Sequence, residues 1–289
     1  MLQVLASGVA LGSIYALVAL GFSMTWVTTQ TLNFAQGELV MVGAFVGLVL
    51  HVDRGWPLLA AALASIVIVA LLAVVIQQVA VAPFAKGVTS IGWILSTVAV
   101  SIMLRNLGEL AWGREARRFP SPVGESLVET VGIRLQPQQL LIMAALVVIV
   151  GLLSVFLGRS LWGKALEAVA QNRDAAALAG IPPAVIAALA YAISGGLAAA
   201  AGILLAPVTF VSAHMGLSLV IKSFAVAVVA GLASFRGIVL AGIAFGMAEA
   251  LVARYLGPEY RDIFGLVLIV AVLAVRPTGI FGIRKVVKV

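Results

Sequence analysis

The chain has no cysteine, which excludes disulfides, thiolate metal sites and cysteine nucleophiles together. Its two histidines, His51 and His214, lie too far apart in sequence to suggest a metal site. Charged residues make up only 10% of the composition, against ~25% in an average soluble domain. No nucleophile–base or metal-ligand cluster can be assembled from so few polar groups, so no catalytic residue is assigned and an intramembrane enzyme is disfavoured. A cleavable leader is also missing from the pattern: Met1-Leu2-Gln3-Val4-Leu5 has no positive charge and runs into an apolar segment too long for a signal-peptide core.

Apolar runs fill the 289 residues instead, with 63% of the chain hydrophobic. A spanning helix needs ~20 apolar residues. The runs, near 2–27, 39–50, 57–81, 90–103, 137–157, 182–206, 217–232, 238–253 and 263–275, account for nearly the whole length. They predict an all-α polytopic integral membrane protein of about eight to nine transmembrane helices, one transmembrane domain over 1–289 with no separate soluble domain. The net charge of +7 comes from basic residues flanking these runs, among them Lys86 and the tail residues Arg284, Lys285 and Lys288. That is a topology signal rather than a nucleic-acid footprint, and it places the C-terminus in the cytoplasm. The longest polar stretch, 106–136, mixes both charges with Pro120 and Pro122 and reads as an extracytoplasmic loop with a strand within 126–135.

One segment breaks the apolar pattern on the cytoplasmic side. Residues 163–181 form an alanine-rich polar island within a loop spanning 158–181, and alanine favours helix strongly. Gly180 ends the predicted helix and Pro182 opens the next span. Read alone, the island is an autonomous helix of about four turns, suited to a soluble partner; the competing reading lays it on the membrane surface, where its methyl side chains would bury little area. The string Gly158-Arg159-Ser160-Leu161-Trp162-Gly163-Lys164 resembles the start of a phosphate loop. Ala165 stands where the magnesium-binding hydroxyl belongs and no strand precedes it, so ATP is not assigned to this chain.

Within the spans, ionisable and polar residues are few and costly. Tyr15 sits among Gly8, Gly12, Ala16 and Ala19, whose near-fourfold spacing suits close helix packing. The break at 28–38 carries Asn33, Gln36 and Glu38, which line a pathway, or else it is a cytoplasmic turn in which Asn33 and Gln36 cap the next helix. Lys222 and Glu249 fall inside spans; they pair or face a pathway, or Lys222 snorkels from one turn inside its helix. Tyr15, Asn33, Gln36, Glu38, Lys222 and Glu249 are therefore the pathway candidates.

The island GKALEAVAQNRDAAALAGI, with GVALGSIYALVALGFSMTWVTTQTLNFAQGELVMVGAF at 8–45, KSFAVAVVAGLASFRGIVLAGIAFGMAEAL at 222–251 and YRDIFGLVLIVAVLAVRPTGIFG at 260–282, resembles the high-affinity branched-chain amino acid permease family, of the LivH type. The resemblance covers nearly the whole chain and is weakest over 106–136. It implies a permease subunit of an ATP-driven ABC importer in a bacterial or archaeal cytoplasmic membrane, carrying branched-chain or other neutral amino acids, or related small amides such as urea. Its implied partners are a second permease of the LivM type, two ATPase subunits that hold ATP and magnesium, and an extracytoplasmic binding protein. No cofactor or metal is implied for this chain. The island would couple to an ATPase through Gly163, Lys164, Glu167, Ala168, Asn172, Arg173, Asp174 and Gly180. The chain departs from its relatives at Gln36, where they carry a titratable histidine, and at Ala230, Ala233 and Arg236. A self-contained secondary transporter or channel driven by an ion gradient is the alternative, and would need coupling-ion ligands in broken helices of two matching halves.

Overall fold

The computed structural model describes residues 1–85, 91–124, 128–130, 133–276 and 279–281. Lys86, Arg284, Lys285 and Lys288 lie outside them. The elements run α1 (Leu2–Thr29), α2 (Gln36–Leu48), α3 (Leu58–Ile76), α4 (Gly92–Trp112), β1 (Val128–Thr130), β2 (Ile133–Leu135), α5 (Pro137–Arg159), α6 (Leu161–Gln171), α7 (Arg173–Leu178), α8 (Pro183–Leu205), α9 (Met215–Ala230), α10 (Phe235–Tyr255) and α11 (Tyr260–Val275). Short π-helical turns extend α2 to Asp53 and α3 to Val81. Among the described residues seven helices are long and apolar enough to cross a membrane, and α9 and α11 are shorter apolar helices. The chain is an all-α polytopic membrane protein. Its strands form one antiparallel hairpin, Val128 opposite Leu135, within the segment expected to hold a strand.

The central helix is α1, and small residues explain how its neighbours approach. It crosses α10 with Gly8 and Gly12 against Gly246 and Gly242; a Cβ on Gly8 would lie 2.7 Å from the Met247 Cα, and one on Gly12 would overlap the Gly242 carbonyl. Gly43 and Gly47 of α2 face Ala199 and Ile203 of α8 in the same manner. Without water to drive helices together, such close backbone packing is the main adhesive in a bilayer. Helices α3, α4 and α5 turn large apolar side chains outward, among them Leu71, Leu110, Val147 and Leu152, as a lipid-facing surface does.

Two helices begin inside the bundle rather than at its ends. After α1, Gln30 takes the left-handed conformation (φ 54°) and the chain turns back. Its two-residue turn at Phe34 and Ala35 starts α2 where Gln36 meets Gly21 of α1 and Ser194, midway along α8. After α8, the segment 206–214 likewise turns back and a two-residue turn at Ala213 and His214 starts α9. The two starts touch: a Cβ on Gly37 would overlap the Gly216 carbonyl, and one on Gly216 would overlap that of Gly37. This reciprocity relates the two breaks, and in chain order α1, α2, α3 and α4 match α8, α9, α10 and α11. The packing repeats accordingly: α1 with α10 mirrors α8 with α3, and α2 with α4 mirrors α9 with α11.

Three sequence expectations are corrected here. Helix α4 does not end near Arg105 but continues to Trp112, where Gly113 stops it, so the polar loop starts at 113 and not 106. Arg105 looks like an end signal in sequence, yet its charge is taken up by Glu38 inside the bundle. Helix α2 starts at Gln36 rather than Leu39, which puts Glu38 within its first turn. The island is two helices instead of one. Asn172 is extended (φ −154°, ψ 109°) and its side-chain oxygen accepts from the backbone N–H groups of Asp174 and Ala175, the role in which asparagine outcompetes a helix interior.

Candidate functional site

The candidate residues fall into three groups. The first is the break between α1 and α2, where Asn33, Gln36 and Glu38 are all buried. Asn33 Oδ1 accepts from the Ala35 N–H at 3.1 Å, and Gln36 exchanges two bonds with α8, donating to the Ser194 carbonyl (3.1 Å) and accepting from its hydroxyl (3.0 Å). Thr31 and Tyr191 share a further bond at 3.0 Å. The irregular segment is enclosed by protein, bonded within itself through Asn33 and held to α8 by the Gln36 and Thr31 side chains, which is the condition for non-helical structure at such depth. Glu38 reaches Arg105 at 2.8 Å and fastens α2 to α4. All three side chains are enclosed within the described residues, with Asn33 Nδ2 and Glu38 Oε2 left without hydrogen-bond partners.

The second group converges from four helices. Lys222 Nζ lies 2.7 Å from Glu249 Oε1 on α10 and 2.9 Å from Asp262 Oδ1 on α11. Lys222 is at the middle of α9 with its side chain 12% exposed, which overturns the snorkelling reading: it does not sit one turn from an end, and its charge is neutralised by neighbours. The Tyr15 hydroxyl from α1 lies close enough to feel the Glu249 carboxylate, and its ring meets Phe245 edge-on at 5.7 Å. Tyr15, Lys222 and Glu249 line a cavity of about 330 Å³ bounded by the break before α9, whose wall also includes Ser218 and Arg261.

Arg261, Asp262 and Ser218 were not singled out from sequence. Arg261 and Asp262 read there as a connector between apolar runs; two ionisable residues in the first turn of a span were the available signal. Ser218 carried none.

The third group is the island. Ser160 caps α6 by accepting from the Gly163 N–H at 2.9 Å. Leu166, Val169 and Ala176 turn inward and pack with Ile186 and Ala190 of α8 as a small second core, so the island is anchored and not autonomous. Gly163 also faces inward, where a Cβ would lie 2.6 Å from the Leu157 Cα, and Ala168 is half-buried. Lys164, Glu167, Asn172, Arg173 and Asp174 remain on the outer face, with Gly180 ending α7 at φ 84°. Lys164 and Glu167 make only a loose exposed pair at 3.7 Å. Leu161 and Leu178 are about nine-tenths exposed beside these charges. The outer face is thus mixed polar and apolar, and nothing among the described residues covers it.

At the opposite end of the bundle, Arg117 forks onto Asp53 (3.0 and 2.5 Å), and its backbone exchanges two 2.9 Å bonds with Val211. The hydrogen bonds that Arg117 donates to the Asp53 carboxylate raise the Arg117 pKa above its ordinary value. These contacts tie the segment after α4 to the break before α9. Among the described residues no group of three or more His, Cys, Asp or Glu side chains is placed to hold a metal.

Residues 4–273 match the family model described as branched-chain amino acid transport system / permease component. The chain is 33% identical over 303 residues to the high-affinity branched-chain amino acid transport system permease protein LivH of Escherichia coli K12, covering 100% of this chain and 97% of that protein. It is equally identical to BraD, the permease protein of the corresponding system of Pseudomonas aeruginosa, over 100% and 98%. Among solved structures, one chain of PsaBC from Streptococcus pneumoniae in complex with Fab shares the fold, with a TM-score of 0.51 at 10% identity over 96% of this chain and 91% of that one.

Proposed function

The chain belongs to the family of branched-chain amino acid transport system permease components, and on that premise we propose that it is the permease subunit of an ATP-driven importer of branched-chain amino acids. The observation that carries the ATP-driven part is the outer face of α6 and α7: a helix pair anchored to α5 and α8 on one side and presenting Lys164, Glu167, Arg173 and Asp174 to solvent on the other. Such a face receives force from a soluble partner and delivers it to two spanning helices. Two ATPase subunits on the cytoplasmic side would press on it, and a second permease of the LivM type would complete the pore. A binding protein would deliver substrate to the opposite end, near Arg117 and Asp53. In this orientation the C-terminus and the loop 158–181 are cytoplasmic and the segment after α4 is extracytoplasmic, in a bacterial or archaeal inner membrane. The chain itself binds no cofactor, and hydrolysis takes place in other subunits.

The reciprocal contact of α2 and α9 suggests how switching proceeds. Rocking of one repeat against the other is a usual route to alternating access, and Gly37–Gly216 is where the starts of the two broken helices meet. The same pair of broken helices favours a second reading, a gradient-driven carrier. Uptake of labelled leucine by cells of the native host, with and without the chain, separates the two. Chain-dependent uptake that stops when ATP is depleted and survives an ionophore supports the importer; uptake that collapses with the gradient while ATP persists supports the carrier. Absence of any chain-dependent uptake of neutral amino acids overturns both.

A further inference from the structure

Resting on the import of an amino acid, we propose that the cavity between α1, α9, α10 and α11 is a substrate site within this chain that recognises a zwitterionic α-amino acid with an apolar side chain, its ammonium held by Glu249 and its carboxylate by Arg261 and the first turn of α9. Glu249 is 2% exposed: Oε1 takes Lys222, while the buried Oε2 has no hydrogen-bond partner, the Tyr15 hydroxyl standing beside the carboxylate. A buried carboxylate oxygen left unpaired is costly, and native structures keep few of them. An ammonium donor in the cavity satisfies it.

The anionic end has its own receptors on the same wall. Arg261 Nε is likewise buried without a partner. Helix α9 runs for 16 residues and its N-cap, His214, supplies no side-chain acceptor; the Met215 N–H is taken by the Ser212 carbonyl at 3.2 Å, which leaves the following first-turn N–H groups at the positive end of the helix, where Ser218 lines the cavity. Half-helix N-termini at mid-depth receive anionic substrate groups in transporters generally.

Charge decides between ligands. Lys222 and Arg261 balance Glu249 and Asp262, so a lone anion meets Glu249 and a lone cation meets two positive groups. A neutral ligand with separated charges suits the site better than an ion of either sign. The remainder of the wall is mostly apolar, with Leu11, Ile14, Leu205 and Leu219 beside the hydroxyls of Thr209 and Ser212. A volume of about 330 Å³ falls at the small end of the ~300–1,000 Å³ range of ligand pockets, which restricts the occupant to a small molecule.

The test titrates the purified full-length chain in detergent with L-leucine, with 4-methylpentanoate, which lacks the ammonium, and with 3-methylbutylamine, which lacks the carboxylate, while recording thermal unfolding. Leucine is expected to raise the unfolding temperature and neither half-ligand to do so at the same concentration. Glu249→Gln is expected to raise the half-saturating leucine concentration at least tenfold. Since that change also disturbs Lys222, Arg261→Gln on the peripheral α11 is the second variant, with the same expected shift. No leucine effect on the wild type, equal effects of the half-ligands, or wild-type titrations in both variants overturns the site. Leucine uptake by cells is measured alongside. Chain-dependent uptake that both variants leave unchanged overturns the site and leaves the importer standing; a Glu249-dependent titration without chain-dependent uptake overturns the importer and leaves the site.

Discussion

Removing the positive member of the Glu38–Arg105 pair should be far more damaging than removing both members. In Arg105→Met the Glu38 carboxylate, 2% exposed and bonded at 2.8 Å in the native chain, is left in the bundle with no cation. Breaking a buried pair in this way costs about 3–5 kcal/mol. The native pair is itself imperfect, because Glu38 Oε2 and Arg105 Nε have no partners. Its loss as a unit forfeits little, and the double variant Glu38→Gln, Arg105→Met should lie within about 2 kcal/mol of wild type, the remaining cost being an unsatisfied amide. The coupling between the two positions is then at least about 1 kcal/mol, in the range found for residues sharing one network. Unfolding of the purified chain in mixed micelles by increasing SDS fraction, followed by tryptophan fluorescence, reads these differences. An Arg105→Met variant as stable as wild type, or a double variant as costly as the two single changes summed, would refute the assignment of this pair as the fastener between α2 and α4.

Three further outcomes follow from particular contacts. Gly216→Ala places a methyl on the Gly37 carbonyl and should lower stability by about 1–3 kcal/mol, whereas Gly196→Ala, whose Cβ would lie 3.5 Å from its nearest neighbour, should be close to neutral; the same SDS titration compares them. Asn172→Ala removes the cap of α7, worth ~1 kcal/mol, and hydrogen exchange should accelerate over 174–178 with little change in α8. Arg117→Ala breaks a fork whose partners are each about one-third exposed, so stability should change by less than ~1 kcal/mol.

Long apolar runs made the spans readable, and prolines marked several starts: Pro57 caps α3, Pro137 opens α5 and Pro183 opens α8. The small residues at Gly8, Gly12, Gly242 and Gly246 announced close packing, but spacing alone does not say which stripe meets which, and it was the fold that paired them. The internal repeat was hidden because its halves share a backbone course rather than side chains. Asn33-Phe34-Ala35-Gln36-Gly37 and Ser212-Ala213-His214-Met215-Gly216 turn alike, yet only the last glycine is common, kept where two backbones touch. Lys222 and Glu249 were legible as costly charges; their partnership, and the entry of Arg261 and Asp262 beside them, required three helices to be brought together. For the island, alanine content disclosed a helix, while the cap at Asn172 was concealed because asparagine within an alanine run gives only a local signal.

Purification of the tagged chain from native membranes, as wild type and as the Glu167→Ala, Arg173→Ala double variant, tests the central claim most directly. Two ATPase chains and a second permease should accompany the wild type, and the ATPases should be lost from the variant while the second permease remains. A wild-type chain that purifies alone, or a variant that retains its ATPases in full, would contradict the account of α6 and α7 as the surface through which ATP drives transport.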